Sequence, residues 1–149
     1  MIHATISEHV NAAADDVRAL YENPDNWPFV FAGTIRSARI VRREADAVVV
    51  EVDHVEGRVT NVLRRVSPTE IELREFKRRY DATFVNGFVA ERGGTRYTLS
   101  ASLRIKWPYA LAQAILKALV LARMRRHVVE PLKRAAERRC RLGSSPGTF

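Results

Sequence analysis

The spacing of apolar residues changes along the chain, and the order of the changes predicts a strand, two short helices, six strands and one long helix. Ile2 to His9 alternates polar and apolar side chains, which is typical of a strand with one covered face. An amphipathic helix follows, with Asn11 as its expected N-cap and Pro24 just beyond its end. A second short helix is expected over Asn26 to Ala32.

The apolar period then falls to two residues, and short turns separate consecutive strands. Short connections of this kind join antiparallel neighbours, so the segment predicts an antiparallel meander. Gly93-Gly94 is typical of a hairpin turn. The expected strands are Thr34 to Arg43, Ala47 to Val55, Arg58 to Val66, Glu70 to Tyr80, Ala82 to Glu91 and Thr95 to Trp107.

Helical spacing begins at Pro108 and continues to about Arg141, so we expect one long helix that covers the apolar face of the sheet. Pro131 removes a backbone hydrogen bond from this helix, which predicts a kink or break near His127 to Pro131. The sequence therefore predicts an α+β fold, a curved antiparallel sheet of about seven strands around a long C-terminal helix. The positions expected to face the sheet are Leu111, Ile115, Ala118, Ala122, Val129, Leu132 and Ala136.

Charge is distributed unevenly along what we expect to be a single domain, residues 1–141, with a disordered Gly- and Ser-rich tail at 142–149. The formal net charge is +8, yet Arg104 to Arg141 holds eleven basic residues against two acidic ones. The excess belongs to the last helix, which excludes a uniformly basic, histone-like protein.

Three interpretations of the basic helix remain open: a solvated face, a surface that docks on anionic lipid headgroups, or the contact surface of a regulatory or interaction domain for a protein partner. Nucleic acid is a weaker candidate, because no aromatic residues are interleaved for base stacking. The residues that would contact a membrane surface are Arg123, Arg125, Arg126, Lys133 and Arg134.

The sequence lacks the residues or motifs that several kinds of site require. Cys140 is the one cysteine, which excludes an internal disulfide and a cysteine-based zinc site and fits a reducing cytoplasm. Met1 to Val10 has no apolar run of the signal-peptide type, so we expect a cytoplasmic protein. The sequence shows no nucleophile or phosphate-binding motif, and its histidines lack metal-ligand spacing, so we expect neither cofactor nor metal. The histidines are His3, His9, His54 and His127.

Strand alternation places four polar side chains, those of His54, Asn61, Arg65 and Glu75, on the face that the helix should cover. Arg65 and Glu75 could satisfy each other as an ion pair, or the four groups could orient the polar end of an apolar ligand. The expected wall of the ligand cavity is Trp27, Phe31, Val50, Val52, His54, Asn61, Arg65, Leu73, Glu75, Phe84, Asn86, Phe88, Tyr97, Leu99, Leu103, Ile115, Leu119 and Ala122.

Three stretches resemble the START-like (SRPBCC) superfamily, whose members share the helix-grip fold. Val17 to Phe31, with the letters NPDNWPF at 23–29, is similar to the family's first helix and the segment after it. Phe84 to Leu99, with the letters GGTRYTL at 93–99, is similar to its last hairpin, and Arg123 to Glu137 to its basic C-terminal helix. The resemblance implies a protein that binds a hydrophobic small molecule (a lipid, a quinone or a polyketide) as a carrier or binding protein.

The superfamily also includes polyketide aromatases/cyclases, which gives an alternative function. Arg65 resembles the inward arginine with which those enzymes polarise polyketide carbonyls, and His54 or Glu75 would then move the proton. Trp27 is similar to an aromatic residue after their first helix, whereas Thr34 stands where they place a tyrosine.

Overall fold

The computed structural model describes residues 1–106 and 113–143. Within them the predicted order of elements is confirmed. The strands are β1 (Ile2–Val10), β2 (Ile35–Arg43), β3 (Ala47–His54), β4 (Gly57–Ser67), β5 (Glu70–Phe76), β6 (Tyr80–Glu91) and β7 (Gly94–Ile105). The helical elements are α1 (Ala14–Glu22), a 3₁₀ turn (Pro24–Asn26), α2 (Trp27–Val30), α3 (Gln113–Met124), a π-helical turn (Arg125–Val129) and α4 (Glu130–Gly143).

All seven strands form one curved antiparallel sheet, in the order β1-β7-β6-β5-β4-β3-β2. The register confirms the predicted alternation, because Asn61 of β4 lies opposite Val50 on one side and Glu75 on the other. Leu73 lies opposite Phe84 in the same way. The inner faces of neighbouring strands therefore form one continuous concave surface.

The first helix begins later than the sequence predicts. Asn11 is not its N-cap; Ala13 occupies that position without a side-chain cap. Strand β1 continues through Val10, and the backbone N–H of Asn11 donates instead to Glu137 of α4 at 3.1 Å. Asn11 thus helps to hold the end of β1 against the C-terminal helix.

The disturbance expected near Pro131 takes the form of the π-helical turn. The backbone N–H of Glu130 donates to the carbonyl of Arg125, five residues earlier, and Pro131 has no N–H with which to continue the ordinary pattern. The extra residue rotates α3 relative to α4 by about 100°. As a result the apolar repeat does not stay on one side of the helix.

This rotation makes part of the predicted inner helix face wrong. Val129, Leu132 and Ala136 are buried as expected, but Ile115, Ala118 and Ala122 are exposed. In α3 the buried or half-buried positions are instead Leu116, Val120, Leu121 and Met124.

Two predicted boundaries lie partly beyond the described residues. The predicted helix start at Pro108, together with Trp107 and Leu111, lies outside them. Helix α4 continues to Gly143, two residues into the segment expected to be a disordered tail, and the rest of that segment is also outside. No helix within residues 1–106 and 113–143 is long and apolar enough to cross a membrane.

The hairpin between β6 and β7 depends on glycine. Gly94 has a φ of +156°, and a Cβ added to it would lie 2.0 Å from the carbonyl oxygen of Val10. Gly33 has nothing within 4 Å of such a Cβ. The close approach of the hairpin to the end of β1 therefore excludes a side chain at Gly94 and not at Gly33.

We predict that Gly94→Ala lowers the free energy of unfolding by at least about 2 kcal/mol, because it adds backbone strain to a steric clash. The matched control Gly33→Ala should change it by no more than about 0.5 kcal/mol. Urea denaturation of both variants measures the difference. Equal stability of the two variants would contradict the register of this hairpin.

Candidate functional site

A cavity of about 270 Å³ lies between the concave face of the sheet, the α1–α2 segment and the helix at α3 and the π turn. Most of its wall is aromatic or aliphatic. Its lining residues are Tyr21, Trp27, Phe31, Gly33, Thr34, Ile35, Val52, His54, Val55, Glu56, Val59, Asn61, Leu73, Glu75, Lys77, Tyr80, Phe84, Leu99, Arg123, Met124, His127 and Val128.

Half of the residues predicted for the wall line this cavity. They come from the α1–α2 segment and from the inner faces of β3 to β7, as strand alternation requires. They are Trp27, Phe31, Val52, His54, Asn61, Leu73, Glu75, Phe84 and Leu99.

Five further predicted residues face inward but pack into the core. Val50 and Leu103 are buried away from the cavity. Tyr97 donates a hydrogen bond to Oδ1 of Asn86 at 2.6 Å, and its ring stacks on Phe88 at a centroid distance of 5.3 Å. The ring of Tyr21, which does line the cavity, lies 6.2 Å from that of Phe88. These residues support the wall from behind.

The structure places Arg65 elsewhere. Its guanidinium lies 2.6 Å from a carboxylate oxygen of Glu22, and its side chain is 49% exposed. Arg65 is four residues beyond Asn61 on β4, a distance of about 13 Å along a strand. Alternation gave it the correct face, but its position along the strand takes it past the cavity. Of the two alternatives for Arg65 and Glu75, the ion pair between them is therefore wrong, because Arg65 pairs with Glu22 and Glu75 with Lys77.

The three helix residues predicted for the wall also lie outside the cavity. Ile115 and Leu119 are 70% and 53% exposed, and Ala122 is exposed as well. Because of the π turn, the helix instead contributes Arg123, Met124, His127 and Val128. The sequence predicts a kink or break near Pro131 but not the extra residue of a π turn, which changes the face that α3 turns to the sheet.

Four charged side chains form a chain of ion pairs at the mouth of the cavity, the side where Glu56 and Arg123 are exposed to solvent. Lys77 Nζ lies 3.1 Å from a carboxylate oxygen of Glu75 and 3.8 Å from one of Glu56. Glu56 also accepts a hydrogen bond from Arg123. The turn between β3 and β4 is thereby tied to α3. Two acids and two bases leave this mouth cluster without net charge.

The mouth cluster favours the charged forms of Lys77 and Glu56. Burial opposes the charge of Lys77, but attraction to Glu75 and contact with Tyr80 outweigh it and raise the pKa of Lys77. Burial likewise opposes ionisation of Glu56, but the hydrogen bond from Arg123 and the attraction of that charge prevail, and the pKa of Glu56 is lowered. Sequence reasoning missed Glu56, which lies in a turn where strand alternation gives no assignment. It also missed Lys77, although the expected strand Glu70 to Tyr80 carries Lys77 on the same face as Leu73 and Glu75.

His54 lines the site with an imidazole that is neutral near pH 7. Burial lowers its pKa, and the positive charge of Lys77 lowers it further. Nδ1 of His54 accepts a hydrogen bond from the backbone N–H of Glu56 at 3.1 Å. The neutral imidazole therefore carries its proton on Nε2.

The lowered pKa of His54 predicts a pH dependence of stability. The contribution of neutral His54 to the free energy of unfolding is present above pH 6.5, the ordinary pKa of histidine. It is lost as the pH falls through the lowered pKa of His54. His54→Gln should therefore lose less free energy of unfolding than the wild type between pH 7.5 and 5.0, as measured by urea denaturation.

His9 supplies a control of opposite sign. A hydrogen bond from its ring to Glu91 raises the pKa of His9, so its contribution is present at acidic pH and is lost as the pH rises through the raised pKa. His9→Gln should lose more stability than the wild type on acidification. Identical pH profiles for the two variants would contradict these assignments.

No protein-family model and no curated protein matches the sequence, but solved structures match its fold. The Zhui aromatase/cyclase of Streptomyces sp. R1128 has a TM-score of 0.75 at 16% identity, covering 97% of this chain and 98% of that one. A START superfamily protein from Mycobacterium smegmatis has a TM-score of 0.72 at 13% identity, covering 91% and 97%.

A third match is the di-domain ARO/CYC StfQ from the steffimycin biosynthetic pathway, with a TM-score of 0.74 at 18% identity. The alignment covers 93% of this chain and 51% of StfQ, so the chain spans about half the length of that protein. At these identities the likeness shows the architecture. The chain has the helix-grip fold found in START-like proteins and in aromatase/cyclases.

Proposed function

We propose that this protein binds a small hydrophobic molecule, such as a lipid, a quinone or a polyketide, between the sheet and α3, and acts as a carrier or binding protein. The cavity of about 270 Å³ with its largely apolar wall is the observation that carries the proposal. Protein interiors are normally close-packed, and a space of this size lined by apolar side chains is typical of a ligand site.

The size of the cavity favours a compact ligand. Ligand pockets usually measure about 300–1,000 Å³, and this one lies near the lower limit. The rings of Trp27, Phe31 and Phe84 offer flat apolar surfaces, which suit a ring system better than two acyl chains. Among the three ligand classes, a quinone or an aromatic polyketide fits more readily than a two-chain lipid.

A cytoplasmic location, supported by the single Cys140, is part of the same proposal.

The aromatase/cyclase alternative loses the residue on which it was based. Arg65 pairs with Glu22 away from the cavity and cannot polarise a carbonyl bound there. His54 and Glu75 do line the cavity, but the carboxylate of Glu75 is held by Lys77. The wall supports binding more directly than it supports proton transfer.

We predict that the wild-type protein binds the fluorescent apolar probe N-phenyl-1-naphthylamine and that Val59→Phe weakens binding at least tenfold, roughly the effect of displacing one ring-sized contact. Val59 lines the cavity, so a larger side chain there takes up the space of the probe. Fluorescence titration gives the dissociation constants.

Val66→Phe is the matched control, since it makes the same change on β4 at a position exposed to solvent. It should bind the probe like the wild type. Equal affinity in both variants would place the probe outside the cavity, and no binding by the wild type would refute the proposed function. In a separate experiment, native mass spectrometry of the freshly purified protein shows whether an apolar molecule is carried in the cavity.

We also propose that the protein docks on an anionic membrane surface, through the outer face of α3. Of the five residues expected to contact lipid, Arg125 and Lys133 lie 3.5 and 3.2 Å from Glu8 and help to fasten the helix to β1. The π turn leaves an apolar stripe exposed instead, formed by Ile115, Leu119 and Ala122.

The charge next to the stripe favours anionic lipid as its partner. Arg126 follows Ala122 at helical spacing and is exposed. Arg123, which pairs with Glu56, keeps a side chain that is more than half exposed. Arg134 is exposed as well, but it lies on α4, beyond the π turn, where it pairs with Glu130. An apolar helix face with basic residues beside it is typical of interfacial membrane binding.

We predict that Leu119→Glu weakens sedimentation with vesicles of phosphatidylglycerol and phosphatidylcholine roughly tenfold. The change removes a leucine that the membrane would bury and adds a negative charge that anionic lipid repels. Leu142→Glu makes the same change at an exposed leucine near the end of α4 and should bind like the wild type. Loss of binding in both variants, or no binding by the wild type, would contradict a docking surface on α3.

A further inference from the structure

His54 is the last residue of β3 and lines the cavity, and the fold uses only one of its two ring nitrogens. Nδ1 accepts a hydrogen bond from the backbone N–H of Glu56 at 3.1 Å, so the proton of the neutral ring is on Nε2. The two nitrogens point in different directions, and the Nε2–H is therefore directed away from this turn. No residue within 1–106 and 113–143 accepts a hydrogen bond from it.

The surroundings of His54 explain why this donor is unused. Its neighbour on β2 is Ile35 and its neighbour on β4 is Gly57, and neither has a polar side-chain atom. The two carboxylates of the mouth cluster are engaged by the basic side chains of that cluster. The Nε2–H is thus a donor in the wall for which the described part of the chain supplies no acceptor.

A bound molecule can reach this donor. Among the described residues, the unpaired side-chain atoms that are sealed from solvent are Oδ1 of Asn61 and the Nε atoms of Arg18 and Arg64. Nε2 of His54 is not one of them, and the residue is half-buried. A ligand in the cavity can therefore accept a hydrogen bond from His54, whereas it cannot contact Oδ1 of Asn61.

Two other neutral donors of the wall are used by the fold. Trp27 donates its Nε1–H, and Thr34 its hydroxyl, to backbone carbonyls at 2.8 and 3.4 Å. His127 also lines the cavity, but no hydrogen bond to a described residue fixes which of its nitrogens carries the proton. His54 differs from these residues, because the fold fixes its tautomer and leaves its N–H unpaired.

The neutral groups of the wall favour a ligand that accepts a hydrogen bond. The Nε2–H of a neutral imidazole can only donate, whereas the hydroxyl groups of Tyr21 and Tyr80 can donate or accept and so favour neither kind of ligand. The amide of Asn61 adds no acceptor, because its oxygen is sealed.

The charges of the wall favour a neutral ligand. The two acids and two bases of the mouth cluster pair with one another and leave no excess positive charge to hold a carboxylate or a phosphate. A carbonyl oxygen is a neutral acceptor, and it meets the requirement of His54 without disturbing these pairs.

We infer that the Nε2–H of His54 donates a hydrogen bond to a carbonyl oxygen of the ligand, and that the ligand is a neutral, ring-sized ketone or quinone. The inference rests on the proposed function and narrows it. Among the three ligand classes, it selects oxidised quinones and polyketide rings that keep a ketone over hydrocarbon chains and over acids.

Two probes of nearly equal shape test the inference. 2-Acetylnaphthalene has a carbonyl oxygen where 2-isopropenylnaphthalene has a CH₂ group, and displacement of N-phenyl-1-naphthylamine near pH 7 gives their dissociation constants. Because water solvates the two probes differently, the quantity to compare between protein variants is the ratio of the two constants. The difference in solvation cancels in that comparison.

His54→Phe removes the donor and keeps a ring of similar size. It should reduce the relative affinity for 2-acetylnaphthalene at least about threefold, which corresponds to the loss of one neutral hydrogen bond. His127→Phe makes the same change at another histidine of the wall and should keep the ratio of the wild type. A ratio that His54→Phe leaves unchanged, or that His127→Phe changes as much, would overturn the assignment to His54.

A measurement on the wild-type protein does not depend on the folding of a variant. Nitrogen NMR of the histidine rings should show His54 protonated on Nε2 near pH 7. Addition of 2-acetylnaphthalene should shift the Nε2 resonance further than addition of 2-isopropenylnaphthalene does. A proton on Nδ1, or equal shifts with the two probes, would contradict the inference.

The possible failures can be told apart. If both probes displace N-phenyl-1-naphthylamine and His54→Phe leaves their ratio unchanged, the carbonyl inference is wrong while the apolar cavity stands. If the wild-type protein binds neither probe and does not bind N-phenyl-1-naphthylamine, the proposed function fails and the inference fails with it.

Discussion

A single helix cannot cover the concave face of a curved seven-stranded sheet. The helix packs firmly where Val129, Leu132 and Ala136 are buried, and the same contacts fix its distance from the strands elsewhere. Beyond the π turn, Leu73 and Phe84 of the sheet are only partly buried, although they point inward. The cavity is the space that remains between these side chains and α3, and the mouth cluster, the aromatic wall and the position of Asn61 all depend on it.

The π turn decides which helix residues meet that space. Pro131 withholds one backbone donor, and the added residue turns α3 by about 100° relative to α4. One consequence is that Met124 and Val128 face the cavity. The other is that Ile115 and Leu119 face solvent, so one local change of backbone pattern forms both the inner wall and the exposed apolar stripe.

The order and antiparallel pairing of the strands could be predicted from the sequence. Strand alternation has a period of two, and short turns leave little freedom in which strands pair. For the same reason, Val52, Asn61 and Leu73 were assigned correctly to the cavity. Alternation predicts which face of the sheet a residue lies on but not whether its position along the strand reaches the cavity. For that reason Arg65 was wrongly assigned to the cavity wall. The inner face of α3 was predicted wrongly for another reason: Pro131 predicts that the helix is disturbed, but not that a π turn adds one residue and shifts the helical period. The predicted strand Glu70 to Tyr80 places Lys77 on the same face as Leu73 and Glu75, but alternation does not predict its ion pairs with Glu56 and Glu75, which bring it to the mouth.

The central claim is that the space under α3 is a binding site for an apolar molecule. A crystal structure of the protein with bound N-phenyl-1-naphthylamine tests it most directly. We expect the probe to lie between Leu73 and Phe84 of the sheet and Met124 of α3, with its rings near Trp27. A probe bound only on the outer surface, with side chains packed together in the space under α3, would contradict it.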